Sequence, residues 1–394
     1  MSETKPRRAK GTGSVLWRNN AWTTIWFTTD PGTGKRKQHS KGGFRLKGDA
    51  QAHLDSILGK VRAGAWKPDT ALTVKELLND HWLPAKQDLR ATTRSQYRNV
   101  IDAWIVPNLG TEKVTGLSPA IIRTMQEKLG STVSANGLVG LSDRSVQLTV
   151  QVLKSATKWA STSADLGGGA LLSRDPLAGY RRPKAKAKLS STWTVEEARL
   201  FLSETENDRL AAVWALVLTR GFRRGEIAGL RWNRVDLDAG LVSITETRVV
   251  VDGKPQTSEP KTEAGKRSVP LDDRLVALLR SAKARQAAEQ LKAGQAYEPQ
   301  GYISAGELAR PYALDLITRT FTRLSAAAEL PKIRLHDTRH TAATIMLQRG
   351  VAAKVVSEML GHSDISITLG IYQHVMPGMA QEAGAAMSEA LLGG

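Results

Sequence analysis

The residues of this chain that could do chemistry lie in its second half, where cationic and imidazole side chains precede a tyrosine. Two arginines, a lysine and two histidines suit a phosphate group, because they can stabilise the negative charge that develops on its oxygens during substitution. A tyrosine hydroxyl on a later segment can attack the phosphorus as a covalent nucleophile. The candidate residues are Arg223, Lys261, His336, Arg339, His362 and Tyr372.

Taken alone, each of these residues has an ordinary structural interpretation. Arg223 lies beside Arg224 and could be surface charge, and Tyr372 could be a half-buried helix tyrosine. The order and context of the set favour chemistry instead. Three stretches carry the context: Gly-Phe-Arg-Arg-Gly-Glu at 221–226, Leu-His-Asp-Thr-Arg-His at 335–340, and Leu-Gly-His at 360–362 ahead of Tyr372.

These stretches resemble the signature of tyrosine recombinases, the phage-type integrase family that cuts and rejoins DNA through a 3′-phosphotyrosine. The resemblance implies that Arg223 and Arg339 grip the scissile phosphate. It also implies that Lys261, which lies in a predicted hairpin, gives a proton to the leaving 5′-oxygen. Gly221 and Gly225 would permit a tight turn that directs the Arg223 guanidinium inward.

The resemblance also assigns the imidazoles and the nucleophile. His336 is implied to transfer a proton or contact the phosphate, and His362 to contact its non-bridging oxygens. Gly361 before His362 predicts a helix C-terminal turn that presents the imidazole. Tyr372 is implied to be the nucleophile, on a helical segment that also carries Thr368. The cations would neutralise the phosphate without a metal or ATP, so no cofactor is expected.

Two further residues are predicted to support this set. Glu226 could orient Arg223 from behind, and His340 is expected to form a structural hydrogen bond. His336 and His340 also form a His-x-x-x-His pattern, which raises the alternative of zinc. The zinc protease motif needs a glutamate where Asp337 stands, and Arg339 on the same helical face would repel a divalent ion. Phosphate is therefore favoured over metal.

Composition bounds the class of protein. A chain of 394 residues with 41% hydrophobic content predicts two or three folded domains. No apolar run approaches the roughly eighteen residues of a membrane span. The polar, basic residues 1–10 lack the apolar region of a secretory signal. The absence of cysteine excludes a disulfide framework, a thiolate zinc site and a cysteine nucleophile. A cytoplasmic protein is expected.

The net charge of +18 is unevenly distributed. Residues 1–66 contain 13 basic and 4 acidic side chains, and residues 67–190 contain 18 and 10. Residues 191–394 contain 25 basic and 24 acidic side chains and are nearly neutral. A solubilising surface does not explain such a division. Binding to a polyanion does, and no basic amphipathic helix favours a membrane surface over nucleic acid.

Residues 1–66 predict a three-stranded sheet and one helix, because β-favouring residues alternate over 22–29 and apolar residues recur at helical spacing over 47–62. The other strands are expected at 14–18 and 35–41, after a turn at 30–34 that lacks the spacing of a phosphate-binding loop. This segment resembles the arm-type DNA-binding domain of lambda-type integrases, whose sheet enters the major groove. The candidate DNA-binding residues here are Lys35, Arg36, Lys37 and Lys41.

Residues 67–180 predict a helical domain that resembles the family's SAM-like, four-helix core-binding domain. Its helices are expected over 74–83, 97–105, 118–129 and 142–160, with the aromatic residues in the core rather than stacked on bases. Residues 181–190 form a basic linker that either follows the DNA backbone or is a solvated hinge. Its candidate DNA-binding residues are Arg181, Arg182, Lys184 and Lys186.

Residues 191–380 predict a mainly α catalytic domain with a small antiparallel sheet, and residues 381–394 predict a tail helix. The whole is a multidomain α+β protein. The resemblance implies double-stranded DNA with core-type and arm-type sites as the partner, and a homo-tetramer on DNA. A DNA-bending protein and an excision factor are further candidate partners. A catalytically silent DNA-binding regulator and a type IB topoisomerase-like enzyme remain as alternatives.

Overall fold

The computed structural model describes residues 13–29, 36–62, 72–131, 140–162, 170–181, 191–375 and 387–392, except the side chains of Lys37 and 372–375. The chain divides into two compact units between residues 186 and 187. That division falls within the predicted linker 181–190. The other domain boundaries stay predictions.

The amino-terminal sheet and helix match the prediction. Strands β1 (Ser14–Arg18), β2 (Ala21–Thr29) and β3 (Arg36–Phe44) form an antiparallel sheet in that order, followed by helix α1 (Lys47–Arg62). Asn19 and Asn20 both have positive φ, at 50° and 60°, as a two-residue hairpin turn requires. The Oγ1 of Thr24 lies 3.3 Å from Nδ1 of His53, so one face of the sheet packs on α1.

The described part of the helical domain contains four helical stretches. Two of them include a π-helical turn, at Leu77–Trp82 and Ile101–Ile105. Trp82 is fully buried and stacks on Tyr97 at 5.6 Å, so this aromatic pair belongs to the core, as predicted. The α-helices are α2 (Val74–Glu76), α3 (Leu83–Ala85), α4 (Ala91–Val100), α5 (Val106–Leu109), α6 (Pro119–Ser131) and α7 (Asp143–Thr162).

The second unit is mainly helical. Its core is built on an aromatic cluster in which Trp193, Phe201, Trp214 and Phe321 contact one another with ring centroids 5.2 to 6.1 Å apart. Such contacts add about 0.5–1.5 kcal/mol per pair beyond burial. The helices are α8 (Val195–Glu204), α9 (Ala211–Arg220), α10 (Arg224–Gly229), α11 (Asp273–Ala293), α12 (Leu314–Ala327), α13 (Asp337–Gln348), α14 (Ala353–Leu360) and α15 (Ser366–Val375).

The strands of this unit form two sheets where the sequence predicted one. The chain leaves strand geometry at Thr245-Glu246, which separates two antiparallel pairings. One sheet has the order β4-β5-β8, with Val242 opposite Val269, and the other is the β6-β7 hairpin. The strands are β4 (Val235–Asp236), β5 (Leu241–Ile244), β6 (Thr247–Val251), β7 (Lys254–Ser258) and β8 (Arg267–Pro270). Alternation along the chain could not assign β5 to a partner so distant in sequence.

The chain beyond α15 is described only at 387–392, which is helical and exposes Met387, Leu391 and Leu392. The remainder of the predicted tail, the turn at 30–34 and most of the linker 181–190 lie outside the described residues. Among the helices that the structure describes, none is both long enough and apolar enough to cross a membrane.

Candidate active site

The turn between α9 and α10 places Arg223. Gly221 ends α9 with φ of 62°, in the left-handed region that glycine adopts without strain. A side chain there would also collide with Leu360. Gly225, expected to serve the same turn, lies instead inside α10, where a Cβ would come within 2.8 Å of the Arg248 carbonyl oxygen. It permits close packing of α10 on β6 rather than the turn.

Glu226 lies directly behind Arg223. Its carboxylate accepts from the Arg223 backbone nitrogen at 2.8 Å and from Nη1 at 2.7 Å. The second terminal nitrogen, Nη2, donates to the Gly361 carbonyl at 2.9 Å. The Arg223 side chain remains 36% exposed while that of Glu226 is 1% exposed. The guanidinium is therefore fixed from behind and open in front.

Arg267 on β8 is the member of this group that the sequence did not reveal. Its Nη1 and Nη2 each lie 3.0 Å from a carboxylate oxygen of Glu226, and its Nε donates to the Met359 carbonyl at 2.8 Å. Burial alone would raise the pKa of Glu226, but Arg267 and then Arg223 outweigh it and hold that pKa below its usual value. Glu226 is therefore an ionised carboxylate between two guanidinium groups.

Arg339 is the most buried cation of the site, with 4% of its surface exposed. Its Nη1 donates to the Gly221 carbonyl at 2.9 Å, whereas Nη2 is buried and has no acceptor among the described residues. Burial, and then the charge of Arg223, lower its pKa to about 9. A buried donor without a partner costs stability unless a ligand supplies the acceptor.

His336 and His340 share one face at the start of α13, as their spacing predicted. Their rings are perpendicular, with centroids 5.9 Å apart. Desolvation, followed by the charges of His340 and Arg339, lowers the pKa of His336, and desolvation also lowers that of His340. Among the described residues His340 has this ring contact and no side-chain hydrogen bond, so the expected structural hydrogen bond is not found there. Asp337 is tied to Arg334, with Nη2 and Oδ1 2.7 Å apart.

His362 follows the C-terminal turn of α14 that the sequence predicted. Gly361 has φ of 68°, and the backbone nitrogens of Gly361 and His362 donate to the carbonyls of Glu358 and Ser357. The imidazole Nδ1 lies 2.8 Å from Oγ1 of Thr368, a fully buried residue on α15. Burial, and then the charges of Arg339 and Arg223, lower the pKa of His362 to about 4. The imidazole is neutral at physiological pH.

The structure says less about Lys261 and Tyr372 than about the arginines and histidines of the site. Lys261 is exposed and lies in the bend after β7, in the segment that leads to β8. The backbone of Tyr372 belongs to α15, and its side chain lies outside the described residues. Helix α15 packs against α13 and α14, and Ile371 contacts the small apolar cluster around Leu360. The helix that carries Tyr372 is thus held beside those that carry Arg339 and precede His362.

The charges of the site do not balance. Arg223, Arg267 and Arg339 contribute three guanidinium groups, and Glu226 contributes one carboxylate in contact with two of them. The neutral imidazole of His362 adds a polar group without charge. In the described part of the chain no cluster of three or more histidine, aspartate or glutamate side chains could hold a metal ion. The arrangement can therefore bind an anion with fixed donors, as phosphoryl transfer requires.

The candidate DNA-binding residues of the first unit do not share one surface. Lys41 pairs with Thr24 and Arg36 with Thr29, at positions an odd number apart on β3, so their side chains leave opposite faces of the sheet. Lys41 is exposed on the α1 side, whereas Arg36 lies over the Phe27 ring at 4.1 Å on the other side. Arg181 is exposed. Outside the described residues are Lys35, Arg182, Lys184, Lys186 and the side chain of Lys37.

Three family models match consecutive parts of the chain. An arm DNA-binding domain matches residues 8–61, a phage integrase N-terminal SAM-like domain matches 66–130, and the phage integrase family matches 192–378. The chain belongs to the phage integrase family. The family match contains Arg223, Arg339, His362 and the whole of α15, which are the elements that converge in the structure.

Relatives and solved structures agree with this membership. A XerC-like tyrosine recombinase of Caldanaerobacter subterraneus subsp. tengcongensis is 28% identical, over 84% of this chain and 87% of the relative. An integrase of Streptomyces ambofaciens is 25% identical over 93% of both chains. The fold is similar to that of the Tn1549 transposon integrase (TM-score 0.64, 18% identity, 82% of this chain and 100% of that one). It is also similar to lambda integrase (TM-score 0.55, 18% identity, 93% and 96%).

Proposed function

We propose that this chain is a site-specific recombinase in which Tyr372 attacks a DNA phosphodiester held by Arg223, Arg339 and His362. Membership of the phage integrase family makes it a tyrosine recombinase, and hence a DNA strand-transfer enzyme. The observation that carries the residue assignment is the buried Arg339 guanidinium, which is near the charge of Arg223 and whose Nη2 has no acceptor among the described residues. A phosphate oxygen would supply that acceptor.

The reaction follows from these positions. The Tyr372 oxygen forms a bond to phosphorus as the bond from phosphorus to the 5′-oxygen breaks, which leaves a 3′-phosphotyrosine and a 5′-hydroxyl. Lys261 is proposed to give the departing 5′-oxygen its proton. Arg223 and Arg339 stabilise the charge on the non-bridging oxygens. Attack by the 5′-hydroxyl of a partner strand reverses the step, so the energy of the phosphodiester is conserved without ATP.

The imidazoles act in this scheme as neutral groups. When Thr368 donates its hydroxyl proton to Nδ1 of His362, the other ring nitrogen carries the proton and can donate to a phosphate oxygen. The lowered pKa of His362, about 4, keeps this state over the neutral range. His336, beside Arg339 at the surface of the site, is proposed to accept the proton that the Tyr372 hydroxyl loses as its oxygen attacks the phosphorus.

The partner of this chemistry is double-stranded DNA. Core-type sites would contact residues 67–180, 191–380 and the linker 181–190, and arm-type sites would contact residues 1–66. We propose that the chain assembles as a homo-tetramer, as the structure of a lambda integrase tetramer on a Holliday junction shows for that protein. The tail helix, 381–394, would dock on a neighbouring protomer. The proposed location is the cytoplasm of a bacterial host, where the enzyme integrates or excises a phage or other mobile element.

A nicked suicide DNA tests the proposal. The DNA carries a candidate core site from the ends of the element that encodes the chain, and a nick near the cleavage position traps the covalent complex. Wild type should give a protein–DNA band on denaturing gels, and Tyr372→Phe should give none. Tyr297→Phe, which removes a tyrosine hydroxyl elsewhere in the same unit, should retain the band.

The same experiment separates the alternatives. The family models and relatives above are integrases and recombinases, and they lend no support to a silent regulator or a topoisomerase-like enzyme. DNA binding without a covalent band on verified sites would favour the regulator. Covalent cleavage followed only by relaxation of supercoiled DNA, without exchange between two sites, would favour the topoisomerase.

A further inference from the structure

Arg267 is a buried cation of the site that the proposed reaction does not use. Its side chain is 7% exposed, and its guanidinium lies over the Phe222 ring at 5.6 Å. All three of its side-chain nitrogens are engaged: Nη1 and Nη2 by Glu226, and Nε by the Met359 carbonyl. Because all three nitrogens are committed to protein acceptors and the side chain is almost fully buried, we expect any effect on the reaction to pass through these partners.

The first partner, Glu226, orients the guanidinium of Arg223. One carboxylate serves both guanidinium groups, with 2.7 Å from Oε1 to Nη1 of Arg223 and 3.0 Å from each oxygen to Arg267. The bidentate contact with Arg267 fixes the plane of the carboxylate. Because Glu226 also accepts from the Arg223 backbone nitrogen, that plane determines where the Arg223 guanidinium points.

The second partner is the end of α14. Arg267 Nε binds the carbonyl of Met359, two residues before Gly361 and three before His362. The turn itself lies against the same side chain, because a Cβ on Gly361 would be 3.0 Å from Arg267 Nη1. The Gly361 carbonyl in turn accepts from Arg223 Nη2 at 2.9 Å. The Arg267 side chain therefore contacts both Glu226, which orients Arg223, and the turn that presents His362.

We infer that Arg267 is a positioning residue for strand cleavage, which fixes Arg223 through Glu226 and His362 through the end of α14. The inference rests on the proposed function, since it assumes that Arg223 and His362 hold the scissile phosphate. Groups that stabilise a transition state must be held to within about 0.5 Å of their productive geometry. A displacement of about 1 Å can reduce a rate about 100-fold.

Arg209 provides a matched control for a purely structural arginine. It lies in the same unit and makes the same kind of contacts: a bidentate pair with Glu289, at 2.6 Å for both bonds, and an Nε bond to the Ala305 carbonyl at 2.7 Å. Neither Arg209 nor Glu289 touches Arg223, Arg339 or His362 among the described contacts. Substitution of Arg209 therefore measures the effect of losing a half-buried arginine pair that lies outside the candidate site.

The test compares full-length wild type with Arg267→Gln, Arg267→Lys and Arg209→Gln. We measure the rate of covalent complex formation on the nicked DNA at saturating protein, the Kd for that DNA and the melting temperature. Arg267→Gln should slow the rate about 100-fold, while its Kd stays within about threefold of wild type because the proposed phosphate ligands are all retained. Arg267→Lys keeps the charge without the planar fork, so it should restore only part of the rate. Arg209→Gln should lower the melting temperature similarly but leave the rate within about threefold.

A pH profile provides a readout that a structural role would not change. The charged groups facing Glu226 are Arg223, Arg267 and Arg339. Without Arg267, burial of Glu226 is opposed by less positive charge, so its pKa rises and its hold on Arg223 weakens as the carboxylate protonates. The cleavage rate of Arg267→Gln, relative to wild type, should therefore fall further as the pH is lowered. Arg209→Gln should show the wild-type profile.

Each remaining outcome decides the inference. If Arg267→Gln loses rate only as Arg209→Gln does, in step with its melting temperature, Arg267 is structural and the inference is overturned. A wild-type rate in a folded Arg267→Gln overturns it as well, and leaves the proposed function intact. Absence of a covalent complex in wild type itself, on verified sites, removes the proposed function and this inference together.

Discussion

At the scale of single residues, the buried charge of the site lowers the stability of the protein in the absence of a ligand. Arg339 is buried, lies near the charge of Arg223, and has one terminal nitrogen that meets no acceptor in the part of the chain that the structure describes. Its pKa falls to about 9 in the folded chain. Because the unfolded guanidinium keeps its usual, higher pKa, the native state holds the proton less tightly, and the charged group costs stability at neutral pH.

Replacement of Arg339 should therefore separate activity from stability. Arg339→Met removes a proposed phosphate donor, so covalent complex formation should fall about 100- to 1,000-fold. It also removes an uncompensated buried charge, so the melting temperature should stay the same or rise. Arg349→Met, an exposed arginine after the same helix, should change neither quantity. A large drop in the melting temperature of Arg339→Met alone would show that this arginine stabilises the fold instead.

His362 predicts how stability depends on pH. Its folded pKa of about 4 lies below the ordinary value of 6.5, so between these values the unfolded chain binds more protons than the native protein. The free energy of unfolding should therefore fall as the pH drops through about 6.5 toward 4. His362→Gln should lose less stability over that range in urea denaturation, with His81→Gln in the helical domain as control. Equal pH dependence in all three proteins would contradict the assigned burial.

The local structure around several candidate cations could be predicted from sequence, because glycine turns and helical spacing mark it, whereas their catalytic roles come from the resemblance and stay predictions. Arg223 follows Gly221, which ends α9, and His336 and Arg339 are three residues apart at the start of α13. Arg267 had no such mark. Its partners Glu226 and Met359 are 41 and 92 residues away, so only the folded chain brings them together. The only hint of its burial was the position of Arg267 two residues before Val269 on one strand, which places it on the same face as a buried residue.

At the scale of elements, the turn after α14 joins the parts of the site. Gly361 combines φ of 68° with close contacts, since a Cβ would lie 2.6 Å from the Ala264 carbonyl oxygen. This contact joins the His362 turn to the segment that precedes β8. The sequence predicted the turn because Gly-His follows an amphipathic helix. It could not predict the segment against which the turn packs.

Two glycine substitutions measure how much the close packing of the turn at Gly361 contributes to stability. Gly350 has φ of 79° and open space around its Cα, so Gly350→Ala should cost only the left-handed conformation, about 1 kcal/mol. Gly361→Ala adds a collision with backbone, so it should cost at least about 2 kcal/mol. It should also slow cleavage by displacing His362. Denaturant unfolding and the covalent-complex assay provide the comparison, and equal costs at the two positions would contradict the packing described here.

At the scale of the whole molecule, positive charge and chemistry occupy different parts of the chain. Residues 1–66 carry net +9, whereas residues 191–394, which contain every candidate catalytic residue, carry net +1. The fold could be predicted to this level because charge, strand alternation and helical spacing are local properties of the sequence. The pairing of β5 with β8 and the π-helical turns could not, because they depend on contacts between distant residues and on packing.

This division predicts where the salt dependence of DNA binding arises. Each phosphate contact contributes about 0.9 to the slope of log K against log salt. Joint replacement of Arg18, Arg36 and Lys41 by glutamine should therefore make the slope shallower by up to about 3. Joint replacement of three exposed cations of the second unit, Arg274, Lys292 and Lys332, should change it little. Because these side chains are exposed, neither set should alter the melting temperature by more than a few degrees. Equal effects of the two sets on the slope would contradict this prediction, and a larger effect of the second set would place the main electrostatic contact in the second unit.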